Sequence, residues 1–251
     1  MRIRLCVAVL LGWATLALGQ EGSSPVLAVP ASSIASPAMK DLSSPAIIIG
    51  FVGGFIRHDD SSHGPVQLAA RLREDFPSGV HVEVFENRRG KQAHGEILRL
   101  LDADHDGKLS PQEKQRARII IYGHSWGGSE AVNLARRLQQ DGIPVLLTVQ
   151  LDSVAKPGQN DFLIPANVAE AVNFFQPDGL IHGRTEIRAF DPARTSILGN
   201  FRFDYGANPL HCSGYHWFAR LFEKTHIAIE CDPAVLSQVE SLIRSKLLLL
   251  P

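Results

Sequence analysis

The sequence predicts an α/β fold built on a doubly wound, mostly parallel sheet. Short continuous apolar runs alternate with segments in which apolar residues recur at helical spacing. Continuous apolar runs suit strands that are buried on both faces, and right-handed crossovers between such strands place helices on both faces of the sheet. A length of 251 residues suits one large domain of this kind. A Gly-x-Ser-x-Gly pentapeptide also follows one apolar run directly.

The predicted elements follow one another in a regular order. Strands are predicted at residues 46–51, 80–85, 119–122 and 145–151, and helices at residues 65–76, 92–101 and 129–140. Beyond residue 153 the pattern is looser. We expect a helical stretch within residues 162–175, a strand at 185–190 and a closing amphipathic helix at 233–249.

The N-terminal region has the pattern of a secretory signal peptide at residues 1–19. Arg2 and Arg4 precede an apolar stretch that ends in small residues. This stretch is shorter than the roughly 20 apolar residues that span a bilayer, so we expect no stable membrane anchor. Residues 20–44 are rich in Ser, Pro and Ala and predict a flexible leader before a domain at residues 45–251. The expected location is secreted or periplasmic.

The charge and the cysteines narrow the classes of partner and compartment. A net charge of -1, from 25 basic and 26 acidic residues, provides no basic surface for nucleic acid and favours small or neutral substrates. Cys6 lies in the signal segment, which leaves Cys212 and Cys231 as an even pair in an oxidising compartment. We therefore expect a disulfide between them. No pattern indicates an oligomeric state.

The pentapeptide Gly123-His124-Ser125-Trp126-Gly127 lies between a predicted strand and a predicted helix. Glycines on both sides allow a turn sharp enough to push the serine hydroxyl out of the sheet. The motif in this context resembles the nucleophile elbow of the α/β-hydrolase superfamily, in its lipase and esterase branch, and the order of elements agrees from residue 46 onward. The resemblance implies that Ser125 is a nucleophile, which requires a histidine base because a free hydroxyl is barely ionised near neutral pH.

The same resemblance implies an acid and then a histidine after the serine. Asp152 ends the strand at 145–151 and resembles the acid position of secreted lipases, whereas Asp191 ends the strand at 185–190 and resembles the commoner position in the superfamily. We favour Asp152 because its strand is the clearer one. His226 is the expected base, on a loop before the final helix, and the expected disulfide would restrain that loop. Other candidate bases are His182, His211 and His216.

Two backbone amides would stabilise the oxyanion of the tetrahedral intermediate. One belongs to Trp126, directly after the nucleophile. The other is expected from Phe51, because the segment at 50–54 is similar to the His-Gly-Phe pattern of lipases, with Ile49 in place of the histidine. The alternatives for this second donor are Val52 and Phe55.

Residues 102–113 match the EF-hand calcium loop position by position, as an EF-hand-like insertion in the fold. Oxygen ligands occupy positions 1, 3, 5, 7, 9 and 12, and glycine occupies position 6. Calcium would have a structural role, since it would neutralise the clustered carboxylates and order the link to the strand before Ser125. The expected ligands are Asp102, Asp104, Asp106, Lys108, Ser110 and Glu113.

Together these patterns predict a secreted serine hydrolase that cleaves carboxylic esters of small molecules or lipids through an acyl-enzyme. Thioesters, amides and peptides are alternative substrates. The apolar segment at 164–175 either lines an acyl pocket or belongs to the core. Two other classes remain open: a non-catalytic secreted calcium-binding module on the same fold, and a calcium-dependent structural protein.

Overall fold

The computed structural model describes residues 45–206, 209–210, 212, 214–215 and 224–248. The predicted signal peptide at 1–19, the predicted leader at 20–44 and the candidate bases His211 and His216 lie outside the described residues. Within the described part of the chain, no helix has the length and apolar character needed to cross a membrane.

Strands and helices alternate along most of the described chain. In chain order they are β1 (Ala46–Val52), α1 (Gly64–Asp75), β2 (Val80–Glu86), α2 (Gly90–Leu101), α3 (Pro111–Gln115), β3 (Ile119–His124), α4 (Trp126–Gln140), β4 (Val145–Leu151), β5 (Leu163–Ile164), β6 (Val168–Phe175), β7 (Arg188–Ala189), β8 (Ser196–Arg202), α5 (Lys224–Cys231) and α6 (Pro233–Leu248). Six strands form one sheet in the order β2-β1-β3-β4-β6-β8, and β5 pairs with β7. Every strand pair in both sheets is parallel.

The core lies on both faces of the six-stranded sheet. Successive side chains of β1 point to opposite faces of the sheet. Ile48 therefore packs in a cluster with α1, α5 and α6, whereas Ile47 and Ile49 pack in a second cluster with α2 and α4. All seven residues of β1 are buried. A strand that is covered on both sides needs an unbroken apolar run, which is the pattern in the sequence. The predicted parallel sheet with flanking helices is confirmed.

Two predictions in the C-terminal half are wrong. The helical stretch expected within 162–175 is the strand β6, which lies between β4 and β8 and contributes to the core. A short apolar run fits a buried strand and a buried helix equally well, and here pairing with β4 decides the outcome. The strand expected at 185–190 is reduced to the two residues of β7, and the edge of the sheet is instead β8, whose mostly exposed and half-buried side chains give a weak apolar signal.

Candidate active site

A sharp turn between β3 and α4 presents the hydroxyl of Ser125. Ser125 has φ 55° and ψ -125°, a backbone conformation that residues with a β-carbon rarely adopt. The two glycines of the motif are required by close contacts. A Cβ on Gly123 would lie 2.4 Å from the backbone of Gly127, and a Cβ on Gly127 would lie 2.4 Å from the carbonyl oxygen of Phe51. The chain can therefore make this turn only with glycine at both positions.

His226 lies within hydrogen-bonding distance of both Ser125 and Asp152, although the three residues are far apart in sequence. His226 Nδ1 is 2.6 Å from Asp152 Oδ2, and His226 Nε2 is 2.8 Å from Ser125 Oγ. A carboxylate only accepts, so Nδ1 bears the proton and donates to Asp152. Nε2 of the neutral ring then accepts from the Ser125 hydroxyl, which is the orientation that a base needs.

Asp152 follows β4 directly and is completely buried. Its Oδ1 accepts from the backbone N–H groups of Gln176, at 3.1 Å, and Gly183, at 2.8 Å, and its Oδ2 also accepts from Gln176 Nε2 at 2.8 Å. These three donors hold the carboxylate in the orientation in which Oδ2 accepts from His226 Nδ1. Sequence analysis missed Gln176 and Gly183, because no motif marks them and only the pairing of β6 with β4 brings Gln176 to this edge.

The alternative acid and the remaining described candidate base take no part in this arrangement. The carboxylate of Asp191 accepts from the backbone N–H of Ala193, within its own turn. His182 is exposed. Hydrogen bonds to the histidine ring therefore favour Asp152 over Asp191 as its partner.

His226 lies in helix α5, not on the loop that the resemblance implied. The expected disulfide is present and joins Cys212 to Cys231, the last residue of α5. In addition, His124 Nε2 donates to the carbonyl oxygen of His226 at 3.0 Å. A helix restrained at its end by a disulfide and at His226 by a hydrogen bond replaces the flexible loop.

Phe51, the predicted second oxyanion donor, lies within the strand ladder, where its amide is directed into the sheet. Phe51 lies inside β1, opposite Gly123 of β3. Ile47 N–H donates to the carbonyl of Arg118, directly before β3, and the two-residue alternation of a parallel ladder directs the Phe51 amide to β3 as well. The backbone that approaches Ser125 is instead that of Gly53, where a Cβ would lie 2.8 Å from Ser125 Cβ. Trp126 begins α4, directly after Ser125.

A cavity of about 700 Å³ opens at Ser125 and His226. Most of its accessible wall is apolar, and the exposed ring of Phe55 packs edge-on against Trp126 at 5.6 Å between ring centroids. The described part of the wall includes no lysine or arginine. Its apolar side chains are those of Phe55, Ile56, Trp126, Val154, Ile181 and Ile227, and the polar ones besides Ser125 and His226 are His63, His124, Tyr215 and Glu230.

The acidic loop at 102–113 connects α2 to the short helix α3. Single carboxylate oxygens of Asp102, Asp104 and Asp106 lie within 4.8 Å of one another. Gly107 has φ 80°, as the bend at loop position 6 requires. Glu113 is turned toward the loop, where it accepts from the backbone N–H of Ala103 and of Ser110, both at 2.8 Å. The donor set is all oxygen, which fits a hard cation such as calcium.

Comparisons with known proteins identify similar structures but no family. No family model matches the chain, and no curated protein matches it. A dienelactone hydrolase-like promiscuous phosphotriesterase, P91 from metagenomic libraries, is 14% identical with a TM-score of 0.42, over 81% of this chain and 87% of that chain. A thermostable esterase from Pseudomonas putida is 11% identical with a TM-score of 0.41, over 83% and 74% of the two chains.

An esterase from Pyrobaculum calidifontis is 13% identical with a TM-score of 0.40, over 81% of this chain and 77% of that chain. Similarities at this level of identity do not transfer an activity. An activity of this chain therefore has to be inferred from its own side chains, among them the hydrogen-bonded Ser125, His226 and Asp152.

Proposed function

We propose that this protein is a serine hydrolase that cleaves carboxylic esters through an acyl-enzyme. The observation that supports this proposal is the continuous hydrogen-bonded chain from Ser125 through His226 to Asp152, at the base of an open cavity. Ser125 Oγ attacks the ester carbonyl while His226 Nε2 takes the hydroxyl proton, and Asp152 stabilises the imidazolium that forms. The same nitrogen returns the proton to the leaving alcohol, and water then releases the acid with His226 as base.

The oxyanion would be held by the amide of Trp126 and by an amide from residues 53–55. These three residues line the cavity, and Gly53 comes closest to Ser125. Asn87 Nδ2 donates to the carbonyl oxygens of Val52, at 3.2 Å, and Gly54, at 2.6 Å, which holds this loop against the sheet. Donors that are already fixed in place stabilise the developing charge without reorganisation.

The cavity favours an uncharged substrate with an apolar acyl or alcohol group. Its wall is mostly apolar, and the described lining offers no lysine or arginine to a carboxylate or a phosphate. An apolar group of moderate size would gain about 25 cal/mol for each Å² that it buries there. The proposed substrates are therefore neutral esters of small molecules or lipids. We also propose that the protein is secreted, which the disulfide and the N-terminal pattern support.

Labelling with a fluorophosphonate probe tests the catalytic proposal. Wild-type protein should react at Ser125 and should hydrolyse p-nitrophenyl esters, with an optimum at an intermediate acyl length. Ser125→Ala should abolish both activities, whereas the matched control Ser245→Ala, on α6, should retain both. Absence of labelling and of turnover in folded wild-type protein would refute the proposal and favour a non-catalytic binding module.

We further propose that the loop at 102–113 binds calcium with a structural role. The carboxylates of Asp102, Asp104 and Asp106 support this, because three such groups this close together repel one another without a cation. Calcium should raise the melting temperature, and Asp104→Asn should weaken calcium binding measured by calorimetry. The matched control Asp59→Asn, at an exposed carboxylate outside the loop, should leave binding unchanged. Equal melting temperatures with calcium and with a chelator would contradict the proposal.

A further inference from the structure

A second buried carboxylate lies behind the catalytic histidine. Glu230 is on α5, its side chain is only 2% exposed, and its Oε1 is 2.9 Å from His63 Nδ1 and 3.4 Å from His124 Nδ1. His63 immediately precedes α1, and His124 is the residue before Ser125. Tyr215 packs edge-on against His63, at 4.6 Å between ring centroids. The proposed catalytic steps use none of these side chains.

The hydrogen bonds determine which nitrogens of this cluster carry protons. A carbonyl oxygen only accepts, so His124 Nε2 is protonated where it donates to His226. Burial lowers the pKa of His124 to about 4, although the charge of Glu230 acts in the opposite direction. His124 is therefore neutral, its Nδ1 has no proton, and the 3.4 Å contact with Glu230 is not a hydrogen bond.

His63 is the proton donor to Glu230. Burial alone would lower the pKa of His63, but the hydrogen bond and the charge of Glu230 outweigh burial and raise it. Burial alone would raise the pKa of Glu230, but the charge that His124 acquires near pH 4 and the hydrogen bond from His63 outweigh burial and lower it. Glu230 is thus an anion inside the protein. The other titratable groups that act on this cluster are Asp60, Tyr215, Asp152 and His226.

This cluster connects His226 to two rigid parts of the fold. Glu230 is four residues after His226, so both side chains lie on the same face of α5. Through His63, Glu230 joins α5 to the start of α1, where Gly64 lies so close that a Cβ would be 1.8 Å from the Glu230 carbonyl oxygen. Through its hydrogen bond to the His226 carbonyl, His124 joins α5 to the turn that presents the nucleophile.

The charge of Glu230 also reaches the ring of His226. The two groups interact electrostatically, and the His124 ring lies beside that of His226 at 4.6 Å between centroids. A neutral His124 does not oppose a positive charge on His226, and an anion beyond it favours that charge. Asp152, which follows β4, contacts the His226 ring directly. Glu230 acts on the ring from one turn further along α5.

We propose that Glu230, together with His63 and His124, is a positioning residue for His226: it holds α5 against the nucleophile turn and stabilises the imidazolium formed during ester cleavage. This inference rests on the proposed function. The carboxylate of Glu230 is almost fully buried against His63 and His124, so its effect on turnover is placed at His226. A purely structural ion pair would affect stability alone.

Glu230→Gln tests the inference because glutamine keeps the size and can still accept from His63, but removes the charge. We expect kcat to fall about tenfold with KM within a factor of about two, and the acidic limb of the pH profile to move to lower pH by about half a unit or more. Glu240→Gln is the matched control, since Glu240 is likewise an ion-paired glutamate but lies on α6. Unchanged kcat and pH profile in Glu230→Gln would overturn the inference, even if its melting temperature falls.

Two substitutions of His124 test the hydrogen bond separately. Glutamine places an amide N–H near the position of the His124 Nε2–H, whereas phenylalanine keeps the ring and removes the donor. His124→Gln should retain at least about a third of the wild-type kcat, and His124→Phe should lose about tenfold or more, the value of one hydrogen bond that orients a catalytic group. Equal kcat values in the two variants would contradict the positioning role of His124.

Nuclear magnetic resonance separates failure of this inference from failure of the proposed function. In protein labelled with ¹⁵N-histidine, the ring signals of His226 at a fixed pH should differ between Glu230→Gln and the wild type, whether or not the protein hydrolyses an ester. If the wild type is catalytically inactive but this difference occurs, the proposed function fails and the inference about Glu230 holds. If the ring signals of His226 coincide in both proteins, the inference fails regardless of activity.

Discussion

Asp152→Asn should nearly abolish ester cleavage, and the hydrogen bonds around Asp152 give the reason. In the wild type, Oδ1 accepts from two backbone N–H groups, those of Gln176 and Gly183. The asparagine oxygen must occupy that position, because both donors there are fixed backbone N–H groups, whereas the two donors at Oδ2 are the side chains of Gln176 and His226, which can adapt. The NH₂ group is therefore placed where Oδ2 now contacts His226 Nδ1.

This exchange forces the wrong tautomer on the histidine. Facing a donor, His226 Nδ1 can only accept, so the proton of the neutral ring moves to Nε2. Nε2 then cannot take the proton of Ser125. In a serine protease the equivalent substitution lowers kcat by about 10⁴-fold, which corresponds to about 5 kcal/mol of transition-state stabilisation. We expect a loss of about 10³- to 10⁴-fold here.

The assay is kcat/KM for a p-nitrophenyl ester, with the rate of fluorophosphonate labelling measured in parallel. Asp191→Asn is the control, since Asp191 forms its hydrogen bond within a turn, and it should stay within about threefold of the wild type. A melting curve of Asp152→Asn verifies that the variant is folded. If Asp191→Asn loses activity and Asp152→Asn retains it, the assignment of the acid is refuted.

Three further predictions concern stability. Replacing Cys212 and Cys231 by serine should lower the free energy of unfolding by about 3 kcal/mol, because the bridge closes a loop with a sequence separation of 19, and the melting temperature should fall by about 6–12 °C in calorimetry. Between about pH 6.5 and pH 4 the unfolded chain binds a proton at His124 that the folded chain does not. This residue should therefore lower the free energy of unfolding as pH falls, by about 3 kcal/mol over that range. His124→Gln should flatten the dependence of the free energy of unfolding on pH, measured by urea titrations at several pH values. Gly127→Ala should cost about 2 kcal/mol or more and slow labelling, because its Cβ would meet the backbone of β1, whereas Gly95→Ala, with no atom within 4 Å of its Cβ, should be neutral or stabilising by up to about 1 kcal/mol.

The sequence predicted the first half of the fold well, and the reason is local. The four strands predicted between residues 46 and 151 coincide with β1 to β4 to within two residues, and the helices at 65–76, 92–101 and 129–140 coincide with α1, α2 and α4 to within three. Each of these strands is an apolar run, and each of these helices has an apolar stripe. The order of strands in the sheet was not predictable, because pairing depends on residues far apart in the chain.

Prediction failed where the local signal is ambiguous or absent. The segment at 168–175 has an apolar pattern that suits a helix or a strand, and its neighbours β4 and β8 select the strand. The resemblance to lipases placed the amide of Phe51 near Ser125, but the ladder between β1 and β3 directs it into the sheet. Glu230 and His63 are 167 residues apart, and no motif links them.

By itself, the sequence determined the sharp turn at Ser125, since only glycine at positions 123 and 127 permits the close contacts around it. It also determined the alternation of strands and helices and the acidic loop at 102–113, which depend on neighbouring residues alone. Only the tertiary structure decided that Asp152 rather than Asp191 meets His226, and that Glu230 lies buried behind it. A hydrogen bond between residues 74 positions apart forms only after the sheet order and the packing of α5 have brought them together.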